Sequence, residues 1–268
     1  MTLTPHMIGP NFQALNRLIA NDDFELQAQV RHTLRLLKPQ SAKGQRKARF
    51  GSVNDGGYVH LDDFDGVDTV LSLGIERNID WDRDIANRGL TIYQFDYSVD
   101  APAPDDNRMI FHKIMIGPQA APGVESLETL VERFDKKRER PNIFLKMDIE
   151  CSEWPVIEAT SLETMSRFTQ IACEMHYFQG LSNEGWRQQC FRVLRKISKA
   201  YAPIHVHANN YADFTMIAGM PVPEVLEVTF ANRALYEFED TDELFPGPLD
   251  APCDRTRPDL FLSGFRYC

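Results

Sequence analysis

From about residue 50 the chain alternates short apolar runs with stretches long enough for a helix, and this rhythm limits its fold more than any other feature. The runs are Thr69–Leu73, Thr91–Phe95, Met109–Ile116, Ile143–Met147 and Ile171–Cys173. Amphipathic or polar stretches such as Val124–Lys137 and Trp154–Met165 lie between them. Strands alternating with helices build βαβ units, and so an α/β fold whose mostly parallel sheet is covered on both faces. Past residue 203 the spacing shortens. Ile204–His207, Phe214–Ile217, Val225–Phe230 and Leu260–Leu262 read as short strands that close the sheet antiparallel, with a long loop over residues 245–258.

The N-terminal part has a different period. Phe12, Leu15, Leu18 and Ile19, then Leu26, Val30, Leu34 and Leu37, fall at helical spacing. Asp22 and Asp23 mark a helix start between the halves, and Pro39 a stop. The small, basic stretch 41–49 (SAKGQRKAR) reads as a linker. The expected division is a helical segment with its linker over residues 1–48 and a main domain over 49–268.

Charge and composition exclude several classes. A chain of 268 residues can bury a sizeable core. A formal charge of −10 argues against non-specific nucleic-acid binding, which needs a basic surface to displace counterions. No apolar run approaches the roughly 20 residues that span a bilayer, and the first residues lack a secretory pattern. The five scattered cysteines, never in CxxC spacing, read as reduced thiols and favour a cytoplasmic setting.

The candidate chemistry sits where strands should end. In a parallel sheet the ligand crevice lies at the carboxyl ends of the strands, which places Ser72 and Gly74 of LSLGIERN, and Asn78 beyond them, along it. The second strand ends in Asp96, 22 residues after Gly74, where a carboxylate can accept hydrogen bonds from a ribose diol. Nicotinamide enzymes and methyltransferases share that device, so the spacing selects a nucleoside and not a cofactor. The absence of GxGxxG removes the usual pyrophosphate cradle. Asp55-Gly56-Gly57 signals a tight hairpin turn just before the first strand, followed by Tyr58.

The densest cluster is IFLKMDIECSEW (143–154), whose strand delivers Asp148 to the crevice with Glu150 and Glu153 close behind. Glu153 is expected to serve only the next helix N-terminus. The following strand delivers Glu174 and His176, two apart and so on one face. Neighbouring strands lie about 4.8 Å apart, so carboxylates at their ends can share a hard cation. Two carboxylates with a histidine suit Mg²⁺ or Mn²⁺; the assigned ligands are Asp148, Glu174 and, from HVHANNY (205–211), His207. His176 is the expected general base.

Taken together, these segments resemble the FkbM-type and related family-22 methyltransferases, many of them associated with sugar or polysaccharide O-methylation. The likeness is carried by DGGYV (55–59), LSLGI (71–75), QFD (94–96), LKMDIECSEW (145–154), CEMH (173–176), HVHANNY (205–211) and PLDAPCDRTRPDLFL (248–262), in the family's order over about residues 49–265. It implies a Rossmann-like sheet of seven strands with the last antiparallel, and S-adenosylmethionine as cofactor. The resemblance sets Gly74 and its neighbours, with Asp55, Gly56, Gly57, Tyr58, Ser72 and Asn78, against the cofactor. Asp96 would hold the ribose, and Asp148 would stand between cofactor and acceptor. The implied acceptor is a small-molecule or glycan hydroxyl, on a nucleotide-linked sugar or a capsular or surface polysaccharide precursor. The N-terminal helices are available for homo-oligomerisation or for joining another biosynthetic domain. One departure stands out: the family's DIEG reads DIEC here, with Cys151 where a glycine would tolerate positive φ.

Overall fold

The computed structural model describes residues 23–102, 106–135, 139–265 and 267. Its first helix, α1 (Phe24–Leu34), starts where the sequence places a cap: the Asp23 carboxylate accepts from the Leu26 N–H at 2.8 Å. A 3₁₀ turn, Arg35–Leu37, ends it before Pro39. The helical pattern expected over residues 12–22 lies outside the described residues. Val30, Leu34 and Leu37 are fully buried in the main core, so the apolar stripe of α1 is spent inside the fold.

The basic linker expected over residues 41–49 is instead paired structure. Strand β1 (Gln40–Ala42) pairs antiparallel with a late strand, Phe238–Asp240, and β2 (Lys47–Gly51) forms a hairpin with β3 (Gly57–Leu61). Lysine and arginine stems pack while their heads reach water, so a basic run can edge a sheet.

The central sheet uses β4 (Thr69–Leu73), β5 (Ile92–Phe95), β6 (Met109–His112), β9 (Ile143–Met147), β10 (Phe168–Met175), β11 (Tyr201–Ala208) and β14 (Leu226–Asn232). The short pairs β7 (Met115–Ile116) with β8 (Val124–Glu125), and β12 (Phe214–Ile217) with β13 (Met220–Pro223), stand apart from it, as does β15 (Phe238–Asp240) with β1. The run Met109–Ile116 therefore breaks into two strands. Leu260–Leu262 is not a strand; it follows the cis Phe245–Pro246 segment, with Leu262 N bonded to the Phe245 carbonyl.

Sheet order is β11-β14-β10-β9-β4-β5-β6. The five strands β6, β5, β4, β9 and β10 run parallel, whereas β14 is antiparallel to both β10 and β11. Alternate side chains feed two cores: Leu71, Leu73, Leu145 and Met147 enter one with α1 and the later helices, while Val70 and Phe144 enter the other. The helices are α2 (Asp80–Asn87), α3 (Leu127–Phe134), α4 (Glu153–Ala159), α5 (Leu162–Met165) and α6 (Glu184–Ser198). Helix α2 and the β2–β3 hairpin cover the second face, through Trp81, Ile85, Phe50 and Tyr58. Among the described residues no helix is long and apolar enough to cross a membrane.

His60 lies at the centre of the second core, fully buried and stacked on Phe50 with ring centroids 4.2 Å apart. Its Nδ1–H donates to the Leu61 carbonyl (2.9 Å), and its Nε2 accepts from Trp81 Nε1 (3.3 Å), which fixes a neutral ring. Burial lowers its pKa from 6.5 to about 4. As pH falls through that window the unfolded chain takes up a proton that the folded chain refuses. Stability present above pH 6.5 is therefore lost towards pH 4, by about 3 kcal/mol. Urea midpoints measured across this range are expected to fall, and to fall less in His60→Gln; an equal fall in both would trace the effect to other groups.

Candidate functional site

The site grows from the point where the chain order reverses between β4 and β9. Here Gly74 follows Leu73 and Asp148 follows Met147, with the Asp148 N–H donating to the Leu73 carbonyl at 2.9 Å. Gly74 has φ +72°, and a Cβ on it would lie 1.6 Å from the Asp148 carbonyl oxygen. Only glycine lets these two strand ends approach so closely, and ligands of open α/β sheets bind at such a reversal.

Two clefts meet over this junction, one of about 390 Å³ and one of about 290 Å³, sharing Gly74, Glu76, Asp148 and Glu150. Asp55, Gly56, Tyr58, Asn78, Glu174 and His176 face the larger, whereas Asp96 and Ser98 face the smaller. A roomier cleft at Arg31, Leu244 and Phe265 shares no residue with either and gathers no comparable polar set.

Several assigned residues reach this junction. Tyr58, buried on β3, donates its hydroxyl to Asp148 Oδ2 at 3.0 Å. Asn78 donates to the Asp55 carbonyl at 2.8 Å and so holds the hairpin turn over the strand ends. Gly56, at φ +78°, leaves room for the Asn78 amide that a Cβ would strike at 2.4 Å. Two other assignments are corrected. Gly57 lines neither cleft; it closes the hairpin opposite Gly51, tight against the Ser52 carbonyl. Ser72 is fully buried and lines neither cleft; it shares a sheet face with Lys146 and sits beside Asp82, which cover it and themselves line the larger cleft.

Asp96 ends β5 as expected, yet its oxygens are engaged. Oδ2 accepts from the N–H groups of Ile75 and Glu76, both at 2.9 Å, and Oδ1 from the N–H and hydroxyl of Ser98, both at 2.7 Å. A carboxylate offers about four acceptor positions, so this one is filled. Burial raises its pKa, but the bonds from Ser98, Glu76 and Ile75 outweigh it and hold the group below its ordinary value. The Ser98 hydroxyl is the one partner of the four that can rotate away, the others being backbone N–H groups.

The loop after β9 carries two consecutive non-glycine residues in the left-handed region, Glu150 at φ +52° and Cys151 at φ +71°. Cys151 thus keeps the backbone that a glycine would favour, at a cost of about 1–2 kcal/mol. The loop returns Glu153, at the start of α4, directly under the Asp148 level. Its Oε1 accepts from the Ile149 N–H (2.8 Å) and stands 3.3 Å from His176 Nδ1. Glu153 therefore does more than serve its own helix.

The three assigned metal ligands fall into three groups, two of which share Glu227. Ligand atoms within 4.8 Å of one another occur in Asp148–Glu153–His176, in Asp55–Glu174–Glu227 and in His207–Glu227–Cys253. His207 groups with Glu227 and Cys253 and not with Asp148 or Glu174; its Nδ1 faces Glu227 at 2.8 Å and its Nε2 faces Asp259 at 3.0 Å. Burial disfavours its charge, but Glu227 and Asp259 more than reverse this and raise its pKa above the ordinary value. Burial pushes the neighbouring Cys253 thiol up to about 12. Asp148 and Glu174 remain as oxygen donors facing one cleft. Burial, and repulsion from Asp148 and Glu227, push Glu174 well above the usual carboxylate range, a strain that a cation would relieve.

The HVHANNY segment instead holds down the loop over residues 248–259. His205 Nε2 meets Asp250 at 2.7 Å, His207 meets Asp259, and the Asn210 amide bonds the Asp254, Arg257 and Pro258 carbonyls. Asn54 in turn donates to the Pro252 carbonyl at 2.7 Å, so this strap braces the hairpin turn that carries Asp55.

Lys146 and Glu227 escaped the sequence reading, whereas Glu153 and Asn209 fell within segments it read without a site role. Lys146 donates to the Gly74 carbonyl and lies 5.4 Å from the Tyr58 ring centroid. Asn209 donates to Glu174 Oε1 at 2.8 Å. Glu227 sits between Glu174 and His207 in the register of three adjacent strands. Lys146 and Glu227 do carry a signal, a charge inside an otherwise apolar strand.

No family model matches the chain, and no curated protein does. A solved structure described as "Putative hemolysin from Streptococcus thermophilus" aligns with 66% of this chain and 72% of that chain, at 11% identity and a TM-score of 0.34. A likeness that shallow carries no argument.

Proposed function

We propose that the chain is an S-adenosylmethionine-dependent O-methyltransferase that modifies a sugar hydroxyl. The observation that carries this reading is the pair of clefts meeting over Gly74 and Asp148, one beside a nucleoside-type acid, Asp96, and one beside a base, His176. The antiparallel final strand of the seven-stranded sheet agrees with what the family resemblance implies.

Bound S-adenosylmethionine supplies an electrophilic methyl group on a cationic sulfur. The protein's part is to attract, orient and dry the reactants. Asp55, Glu76, Asp148, Glu150 and Glu174 line the larger cleft against a single lysine, so the field there favours a cation. Asp96 receives the ribose once Ser98 turns aside. The same acids repel phosphate, so the sugar of a nucleotide-linked acceptor would enter the cleft while its diphosphate stayed outside. His176 takes the proton of the acceptor hydroxyl. Asp148 and Glu174 would hold Mg²⁺ or Mn²⁺, whose charge lowers the pKa of that hydroxyl.

The test is calorimetry with S-adenosylmethionine and NAD side by side, followed by a labelled-methyl screen over nucleotide sugars and neutral glycans. Binding of S-adenosylmethionine alone, with label transferred to a sugar, is the expected result. Binding of NAD in its place would sink the reading. Exhaustive chelation should depress transfer and added Mg²⁺ or Mn²⁺ restore it; full activity after chelation would remove the metal.

A further inference from the structure

We infer that Glu153 is the positioning residue for His176, pinning the proton on Nδ1 so that the Nε2 lone pair faces the acceptor. The inference rests on the proposed transfer reaction only for its activity arm.

Three carboxylates surround the ring, and they are not equivalent. Glu150 and Glu174 each lie 3.6 Å from Nε2, and the Glu150 side chain is 73% exposed and free to leave. Glu153 lies 3.3 Å from Nδ1, and its side chain is 0% exposed. Glu153 is also held in place, because its Oε1 accepts from the Ile149 N–H. The neighbouring Trp154 indole donates to the His176 carbonyl at 2.7 Å, so consecutive residues grip both the ring and the backbone of the same histidine. His176 Nδ1 and Glu153 Oε2 are buried without a hydrogen-bond partner among the described residues. A carboxylate buried this completely is costly unless paired, and the imidazole edge is the group that faces it.

The chemistry follows from the two ring nitrogens being distinct. A carboxylate is an acceptor only, so a neutral imidazole beside Glu153 carries its hydrogen on Nδ1. Nε2 is then the free base, on the side that opens to the cleft. The general role of a carboxylate in fixing tautomer and orientation of a catalytic histidine is well known from serine hydrolases; here the acid would serve a hydroxyl acceptor instead.

Glu153→Gln keeps the shape and the oxygen that accepts from Ile149, but that oxygen, the one 3.3 Å from Nδ1, loses its charge and holds the Nδ1–H tautomer more weakly. It is expected to lower kcat by about 10²–10⁴-fold with KM and cofactor affinity within about two-fold, and Glu153→Asp to recover part of the loss. Nitrogen-15 NMR of the ring in chelator-treated, full-length protein gives the independent readout, at a pH where the ring is neutral. The wild type should show hydrogen on Nδ1, and Glu153→Gln a shift toward Nε2. Hydrogen on Nε2 in the wild type would overturn the inference, even if the glutamine variant failed to fold. Unchanged kcat in a folded Glu153→Gln would overturn it too. No methyl transfer by the wild type, with hydrogen on Nδ1, would instead count against the proposed reaction and leave the positioning supported.

Discussion

On the proposed reaction, His176→Ala is expected to abolish methyl transfer while leaving cofactor binding nearly intact. The base contributes about 10²–10⁴-fold in such reactions, so turnover should fall by at least that much. The separation from binding follows from placement: His176 lines the larger cleft with Asp148 and Glu174, whereas Asp96 and Ser98 line the smaller one, where His176 makes no appearance. Removing the ring also strips Glu153 of the imidazole beside it and leaves it the Ile149 N–H alone, which would cost about 1–3 kcal/mol of stability. His176→Gln, which keeps a polar edge toward Glu153 without a usable base, controls for that loss. Single-turnover rates and calorimetric affinities on both variants decide the matter. Unchanged turnover in His176→Gln would end the base assignment, and lost affinity in both variants would move His176 into the cofactor site.

The residues readable from sequence were those whose position depends on local pattern. An apolar run followed by a polar residue marks a strand end, and that placed Gly74, Asp96, Asp148, Glu174 and His176 at one level of the sheet. The hairpin turn at Asp55-Gly56 was visible for the same reason. What stayed hidden depends on distant pairing. Nothing near His207 in sequence shows that Asp259, 52 residues on, faces its Nε2, or that it groups with Glu227 and Cys253 instead of Asp148. The stretch 41–49 looked like a linker because β1 finds its partner near residue 240 and β2 is short and basic. Glu153 looked like an ordinary first-turn acid, since only the fold of the 149–152 loop brings it under His176.

Gly74→Ala is expected to damage the protein more than any other single methyl addition at the site. Two penalties add. Alanine at φ +72° pays the left-handed cost of about 1–2 kcal/mol. Its Cβ would also lie 1.6 Å from the Asp148 carbonyl oxygen and 2.7 Å from the carbonyl carbon, both backbone atoms. Neither can swing away as a side-chain tip would, so β4 and β9 must part at their carboxyl ends. That movement pulls on the Asp148 N–H bond to Leu73, the Gly74 N–H bond to Phe95 and the Lys146 contact with the Gly74 carbonyl, all of which shape the floor shared by both clefts. Gly89→Ala isolates the first penalty, because Gly89 has φ +86° with nothing within 4 Å of where a Cβ would stand. That variant should lose only the conformational cost and bind cofactor as the wild type does. Gly74→Ala should lose several kcal/mol more in chemical denaturation, out of a total stability of about 5–15 kcal/mol. Where it still folds, its cofactor affinity should drop by about 100-fold or more, since a separation of the strand ends by even an ångström misplaces Asp148 against both clefts. Equal losses in the two variants would mean that the close approach of Gly74 to Asp148 is not what builds the site.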